Sequence, residues 1–146
     1  MKHWKGKTIY SLAANEIFVF GSNPEGRHGM GAAKAAVAFG AEYGQGRGFS
    51  GQTYALPTKN LKAGFLEKVS GIKYETAGAK SISVTQIIDN IEELYDFARD
   101  NADLDFLIPY KKSSKNLNGY SANDMFSMFT NNIAVPKNIV FHESFK

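Results

Sequence analysis

Nine of the 14 glycines in this chain fall between Gly21 and Gly51. Glycine loses more backbone freedom on folding than any other residue, so such a density marks tight turns or a close approach of the backbone to another surface. The flanking segments narrow the choice. Ile17-Phe18-Val19-Phe20 is a short apolar run with no polar alternation, the pattern of a parallel strand buried on both faces. From Gly31 to Tyr43 the chain is rich in alanine, with Ala32, Ala35, Ala36 and Phe39 at helical spacing, which predicts a helix beginning near Gly31. Thr53-Tyr54-Ala55-Leu56-Pro57 reads as a second strand ended by its proline. Strand, glycine loop, helix, glycine loop and strand make a βαβ unit with an elaborate first turn.

Further along, Ser83 and Gln86 have the spacing of a capping box. Ile87, Ile88, Ile91, Leu94, Tyr95 and Ala98 then form one apolar stripe, predicting a helix over 84–100. Leu104 to Pro109 reads as a third strand, and 110–120 as a loop rich in Lys, Ser and Asn. Ser121 is placed to cap a short helix carrying Met125, Phe126 and Phe129. Asn138 to Phe141 makes a final strand, and Thr8 to Leu12 an edge strand near the start. Residues 61–82 carry no readable pattern. Strands alternating with helices predict an α/β sandwich, in which ligands sit at the carboxyl ends of the strands.

Composition removes whole classes of chemistry. With 146 residues, 43% of them apolar, the chain is expected to form one globular domain with its own core. It has no cysteine, which excludes disulfides, thiol nucleophiles and cysteine-bound zinc. His3, His28 and His142 lie far apart, so no metal site is expected. A formal charge of +3 suits an anionic ligand without requiring nucleic acid. No signal peptide or membrane span is apparent, and a cytoplasmic location with no membrane partner is expected.

Two nucleotide motifs fail against the glycine stretch. Gly21-Ser-Asn-Pro-Glu-Gly26 has the glycine spacing of a P-loop, but Arg27-His28 stand where Lys-Ser/Thr is needed. Gly29-Met-Gly31 lacks the third glycine of the dinucleotide fingerprint, and no acidic residue follows at the distance that holds a ribose. What remains is a loop of small residues entering a helix N-terminus, where unpaired N–H groups favour an anion. Gly26, Gly29 and Gly31 leave room for a diphosphate there, and Arg27, His28 and Lys34 are candidates to add positive charge.

Phe18-Val-Phe-Gly-Ser-Asn23, Gly29-Met-Gly-Ala-Ala-Lys-Ala-Ala36 and Thr53-Tyr-Ala-Leu-Pro-Thr-Lys59 together resemble the macrodomain superfamily of ADP-ribose-binding proteins, in particular its small phage and bacterial branch. The resemblance covers residues 17–60 and extends over 104–146. It implies a three-layer α/β sandwich with a mixed central sheet flanked by helices, no cofactor, and ADP-ribose or a related nucleotide derivative as ligand, free or carried on an ADP-ribosylated protein. By position, Gly21, Ser22 and Asn23 follow the central strand, and Asn23 matches an asparagine that contacts the distal ribose. Gly29, Met30, Gly31, Ala32 and Ala33 match the loop around the diphosphate. Asn118, Gly119 and Tyr120 resemble the second diphosphate loop. Thr58-Lys59 resembles the Thr-Lys pair of the branch that hydrolyses ADP-ribosylated carboxylates, which makes Lys59 and Asn23 the candidate catalytic residues.

Two departures accompany the resemblance. The hydrolase branch has an aspartate near the position of Asn118, where Asp124 is the nearest acid downstream and falls inside the expected helix. Most macrodomains also carry an acidic residue before the central strand to read adenine, and Ser11-Leu12-Ala13 supply none in register. Three functions follow as expectations: hydrolysis of an ADP-ribosyl linkage, with burial lowering the pKa of Lys59 so that its amine can attack; binding of the nucleotide without turnover; and, least supported, single-strand nucleic-acid binding through Arg27, Lys34, Arg47, Tyr43 and Phe49.

Overall fold

The computed structural model describes residues 2–113 and 115–146. Its central sheet has six strands: β1 (His3–Trp4), β2 (Glu16–Ser22), β3 (Gly48–Ser50), β4 (Thr53–Pro57), and then β7 (Asp105–Leu107) and β8 (Ile139–His142). Between them in the chain, β5 (Phe65–Glu67) and β6 (Ile72–Tyr74) form a separate antiparallel hairpin. The helices are α1 (Gly31–Val37), α2 (Val84–Asp100) and α3 (Ala122–Thr130), and a short 3₁₀ turn covers Glu143–Phe145. Strand order across the sheet is β1-β8-β7-β2-β4-β3. Every neighbouring pair is parallel except β3 with β4, so the sheet is mixed.

The uninterrupted apolar run of β2 is explained by burial on both sides. Ile17 and Val19 point into a large core with α2 and α3, containing Ile87, Ile91, Leu94, Met125 and Phe129. Phe18 and Phe20 point into a smaller one with Ala33, Ala36, Ala41 and Ala55. Side chains alternate across a strand, so one run of four serves two cores. Helices on both faces of the sheet give the α/β sandwich in three layers.

The βαβ unit forms from β2, α1 and β4, with Ser22 in register with Pro57. Helix α1 is shorter than its alanine pattern predicts. Gly40, at φ +108°, turns the chain, and the Ala41 N–H donates back to Ala36 O at 3.1 Å, closing the helix before Tyr43. Helix α2 starts as expected, with Ser83 Oγ accepting from the Gln86 N–H at 3.1 Å. The reciprocal half of the box is missing, because Gln86 Nε2 donates to Asn90 Oδ1 instead. The complete capping box lies at α3, between Ser121 and Asp124.

The expected strand over 8–12 is not there. The edge is taken by β1, whose His3 and Trp4 pair with Phe141 and His142. Trp4 anchors it, with Nε1 donating to Ile108 O at 2.8 Å and its ring set edge-on against His142. Ile9 and Leu12 instead lie half-buried against the smaller core, and Tyr10 is exposed. The unassigned stretch 61–82 contains the β5–β6 hairpin and a single bridge between Asn60 and Gly78. No described helix is long and apolar enough to cross a membrane.

Candidate functional site

The parallel strands bring their carboxyl ends to one edge of the sheet. There, past Ser22 and Pro57, a cavity of about 320 Å³ opens. Gly21, Ser22 and Asn23 from the end of β2, Gly29 and Met30 before α1, Ala33 within it, and Lys59 beyond β4 all line it. Arg27, Tyr43, Leu61 and Leu117 complete the wall. Met30, Tyr43, Leu61 and Leu117, all exposed, give it a largely apolar wall, in which Ser22, Asn23, Arg27 and Lys59 are the polar side chains. A second cavity, about 220 Å³, adjoins it and shares Gly21 and Leu117; Ala32, Thr58, Pro109, Tyr110, Lys115, Asn116 and Asn118 line the rest.

The backbone around Lys59 is held from three sides. The N–H groups of Thr58 and Lys59 both donate to Ser22 O, at 3.0 and 3.3 Å. Asn90, on the buried face of α2, donates to Pro57 O at 2.9 Å. Asn60, fully buried, donates its N–H to Ser81 Oγ and its Nδ2 to Lys62 O and Thr76 O, each at 2.8 Å. Lys59 itself is half-buried.

Asn23 is tied to its own loop. Its Nδ2 donates to Arg27 O and its Oδ1 accepts from the Arg27 N–H, both at 2.9 Å, so the side chain bridges residues 23–27 while bordering the cavity. Ser22 Oγ donates to Asn23 O at 3.3 Å. Met30 caps α1 without a side-chain hydrogen bond, which leaves the first-turn N–H groups free of side-chain partners where Gly29, Met30 and Ala33 border the cavity.

Much of the glycine density serves loop-on-loop packing. A Cβ on Gly46 would stand 2.0 Å from Asn23 O, and one on Gly26 only 2.4 Å from Gln45 N. The missing side chain of Gly26 therefore makes room for the 44–46 loop, not for a ligand, which corrects its expected role. The Gly44 N–H donates to Gly26 O at 2.9 Å along the same seam. His28 belongs to it as well: buried, edge-on to Phe20, with Nε2 against Gln45 O at 3.1 Å, it faces neither cavity. Lys34 is exposed and lines neither cavity. Arg27 is exposed and paired at 3.7 Å with Glu25.

Of the residues expected in the second loop, Asn118 borders the smaller cavity, with Oδ1 accepting from the Tyr120 N–H at 2.9 Å. Gly119 packs on Ala79, and the Tyr120 hydroxyl donates to Ile82 O at 2.8 Å, so both turn towards the β6–α2 connection. Gly31 lies near Leu117, whose Cδ1 a Cβ would meet at 3.6 Å. Asp124 is spent on its capping box, and no acidic side chain lines either cavity among the described residues. Nor, among them, do three His, Asp or Glu side chains come together as metal ligands.

Arg47, considered above as a nucleic-acid contact, is instead enclosed. It pairs with Glu67 at 2.8 Å, both side chains nearly buried, and donates to Asn90 Oδ1 at 2.9 Å. Glu67 also accepts from Ser70 Oγ at 2.5 Å. Tyr74, beside the pair, is pushed up to about 12 by burial and by the Glu67 charge. Phe49 packs on Phe97. Arg47, Asn60 and Asn90 support the cavity wall; Asn60 and Asn90 are not among the expected site residues, and Arg47 is expected only as a nucleic-acid contact. The one local signal was Asn90, a polar residue three positions after Ile87 on the apolar stripe.

No protein-family model matches the chain, and no curated protein or solved structure matches it at a significant level. Fold and site thus define an α/β sandwich with a pair of adjoining cavities at the carboxyl ends of its parallel strands.

Proposed function

We propose that this protein binds ADP-ribose or a related nucleotide derivative in the cavity at the ends of β2 and β4. The observation that carries the reading is convergence: Gly21, Ser22 and Asn23, Gly29 and Met30, and Lys59, from three segments of the chain, border one space of about 320 Å³. A largely apolar wall carrying a few polar side chains, Ser22, Asn23, Arg27 and Lys59, suits a ligand with a flat apolar part and a sugar–phosphate part. Calorimetric titration with ADP-ribose tests this, and absence of heat at millimolar ligand would refute it.

Hydrolysis at the distal ribose is a second reading, favoured by the presence of Lys59 in the same cavity wall. Its neutral amine would attack the anomeric carbon and expel the linked carboxylate, losing a proton to give a glycosylamine; opening of the ribose ring C–O bond, with a proton passing to the ring oxygen, then gives a Schiff base that water cleaves. The lack of an acidic side chain in either cavity among the described residues favours binding without turnover. Borohydride added during incubation with an ADP-ribosylated carboxylate would fix the adduct on Lys59 if turnover occurs. Lys59→Ala should prevent it. No adduct and no release of ADP-ribose would leave the protein as a binding module.

A further inference from the structure

Lys80 holds a backbone conformation that lysine rarely adopts. Its φ is +56°, and among the described residues the one other non-glycine residue at positive φ is Asn132, at +59°. Asn132 directly follows the C-cap of α3, where asparagine in this conformation is a common helix stop. Lys80 stands in the connection before α2, where a Cβ crowds the backbone at such a φ and glycine would avoid the cost. Its N–H donates to Asn118 O at 2.7 Å, and its ammonium group stands over the Tyr120 ring, 5.7 Å from the centroid. The side chain makes no ion pair among the described residues. A strained lysine whose charge is left free points to a use for that charge.

Lys80 and Asn132 both line a groove of about 460 Å³ between α2 and α3, which shares no lining residue with the two cavities at the strand ends. Val84 and Ile88, one turn apart on α2, and Met128 on α3 give it apolar walls. Asp124 also lines it, its Oδ2 accepting from the Ser121 N–H at 3.3 Å. We propose that this groove binds a small-molecule monocarboxylate, with the acid head at Lys80 and an apolar body along Val84, Ile88 and Met128. The volume is that of a small-molecule site, and a few placed polar groups among apolar walls are what orient a ligand in such sites. The carboxylate of Asp124 disfavours a second negative charge, so a singly charged head suits the groove better than a phosphate dianion. The proposal goes beyond the nucleotide reading and does not rest on it.

The test is calorimetric titration with octanoate, and with octanol as the uncharged control. Octanoate should bind about tenfold more tightly than octanol at low salt. Lys80→Gly removes the charge and the strain together, so the melting temperature should stay or rise while octanoate affinity falls about tenfold. Val84→Glu serves as a second variant: the position is exposed and begins α2, where an acidic residue is favourable, so the fold is kept. Its carboxylate in the groove should weaken octanoate binding about tenfold or more. Asp124→Asn keeps an acceptor for the Ser121 N–H and should tighten octanoate binding about threefold. A parent that does not bind octanoate at millimolar concentration overturns the site. Octanol bound as tightly as octanoate, or unchanged octanoate affinity in Lys80→Gly, overturns the acid head at Lys80. Unchanged octanoate affinity in Val84→Glu puts the ligand elsewhere and overturns the groove.

Discussion

Replacing Asn23 by alanine separates two roles that the sequence assigns to one side chain, ribose contact and loop staple. Two hydrogen bonds of 2.9 Å connect its amide to the Arg27 backbone. Each is worth about 1 kcal/mol net, and because Arg27 is exposed, water can take over its freed backbone groups without a full desolvation cost. The loss should therefore be about 1–2 kcal/mol, since the turn bond from the Gly26 N–H to Asn23 O does not involve the side chain. For a domain of this size that corresponds to a drop in Tm of roughly 3–6 °C. Urea unfolding followed by circular dichroism should show a lower midpoint at constant slope. Asn23→Asp keeps an acceptor for the Arg27 N–H but sets a carboxylate against the Arg27 carbonyl, and should recover little. An unchanged midpoint for Asn23→Ala, with nucleotide affinity reduced, would refute the staple and return the side chain to the ligand.

Other perturbations address the surrounding frame. Gly46→Ala would force a Cβ to within 2.0 Å of Asn23 O, and should cost on the order of 2–3 kcal/mol by chemical denaturation as the two loops separate. Gly31→Ala meets only Leu117 Cδ1 at 3.6 Å but sits at φ +58°, so its loss should stay near 1 kcal/mol in the same assay. Glu67→Gln leaves Arg47 enclosed without its main charge partner and should destabilise by about 3 kcal/mol, whereas the double variant Arg47→Met/Glu67→Gln should lose less than that single change. Burial raises the phenol pKa of Tyr74 to about 12, and those of Tyr54, Tyr95 and Tyr110 still higher. An unfolded phenol releases its proton near pH 10, so this stabilisation is complete below that pH and is lost as pH rises through about 12. Absorbance at alkaline pH should show these phenols ionising together with unfolding; ionisation near pH 10 in the folded protein would contradict their burial.

The elements that were legible are those whose pattern is local. The apolar run 17–20, the stripe from Ile87 to Ala98 and the cap at Ser121 each carry their structure within one or two turns of chain. The meeting of Gly21–Asn23, Met30 and Lys59 was also legible, because a βαβ unit fixes which strand ends lie together. The hairpin within 61–82 was not: its strands Phe65–Glu67 and Ile72–Tyr74 are three residues each, too short to show a period. Nor was the enclosure of Arg47 by Glu67 and Asn90, which depends on partners brought from distant segments. The glycines were legible as a signal of close approach, but the approaching surface at Gly26 and Gly46 is the chain itself.

The edge strand β1 sets an order on assembly. It pairs only with β8, so the first described strand finds its place beside the last. β7 and β2 follow beyond β8 in the sheet, and a pairing between segments so far apart in sequence adds strongly to contact order and forms slowly. On a ribosome, the segment around Trp4 must therefore wait, unpaired, until the residues of β8 have left the exit tunnel. Closure of this edge brings the segment around Trp4 onto that around His142 after the β2–α1–β4 unit has had the material to form.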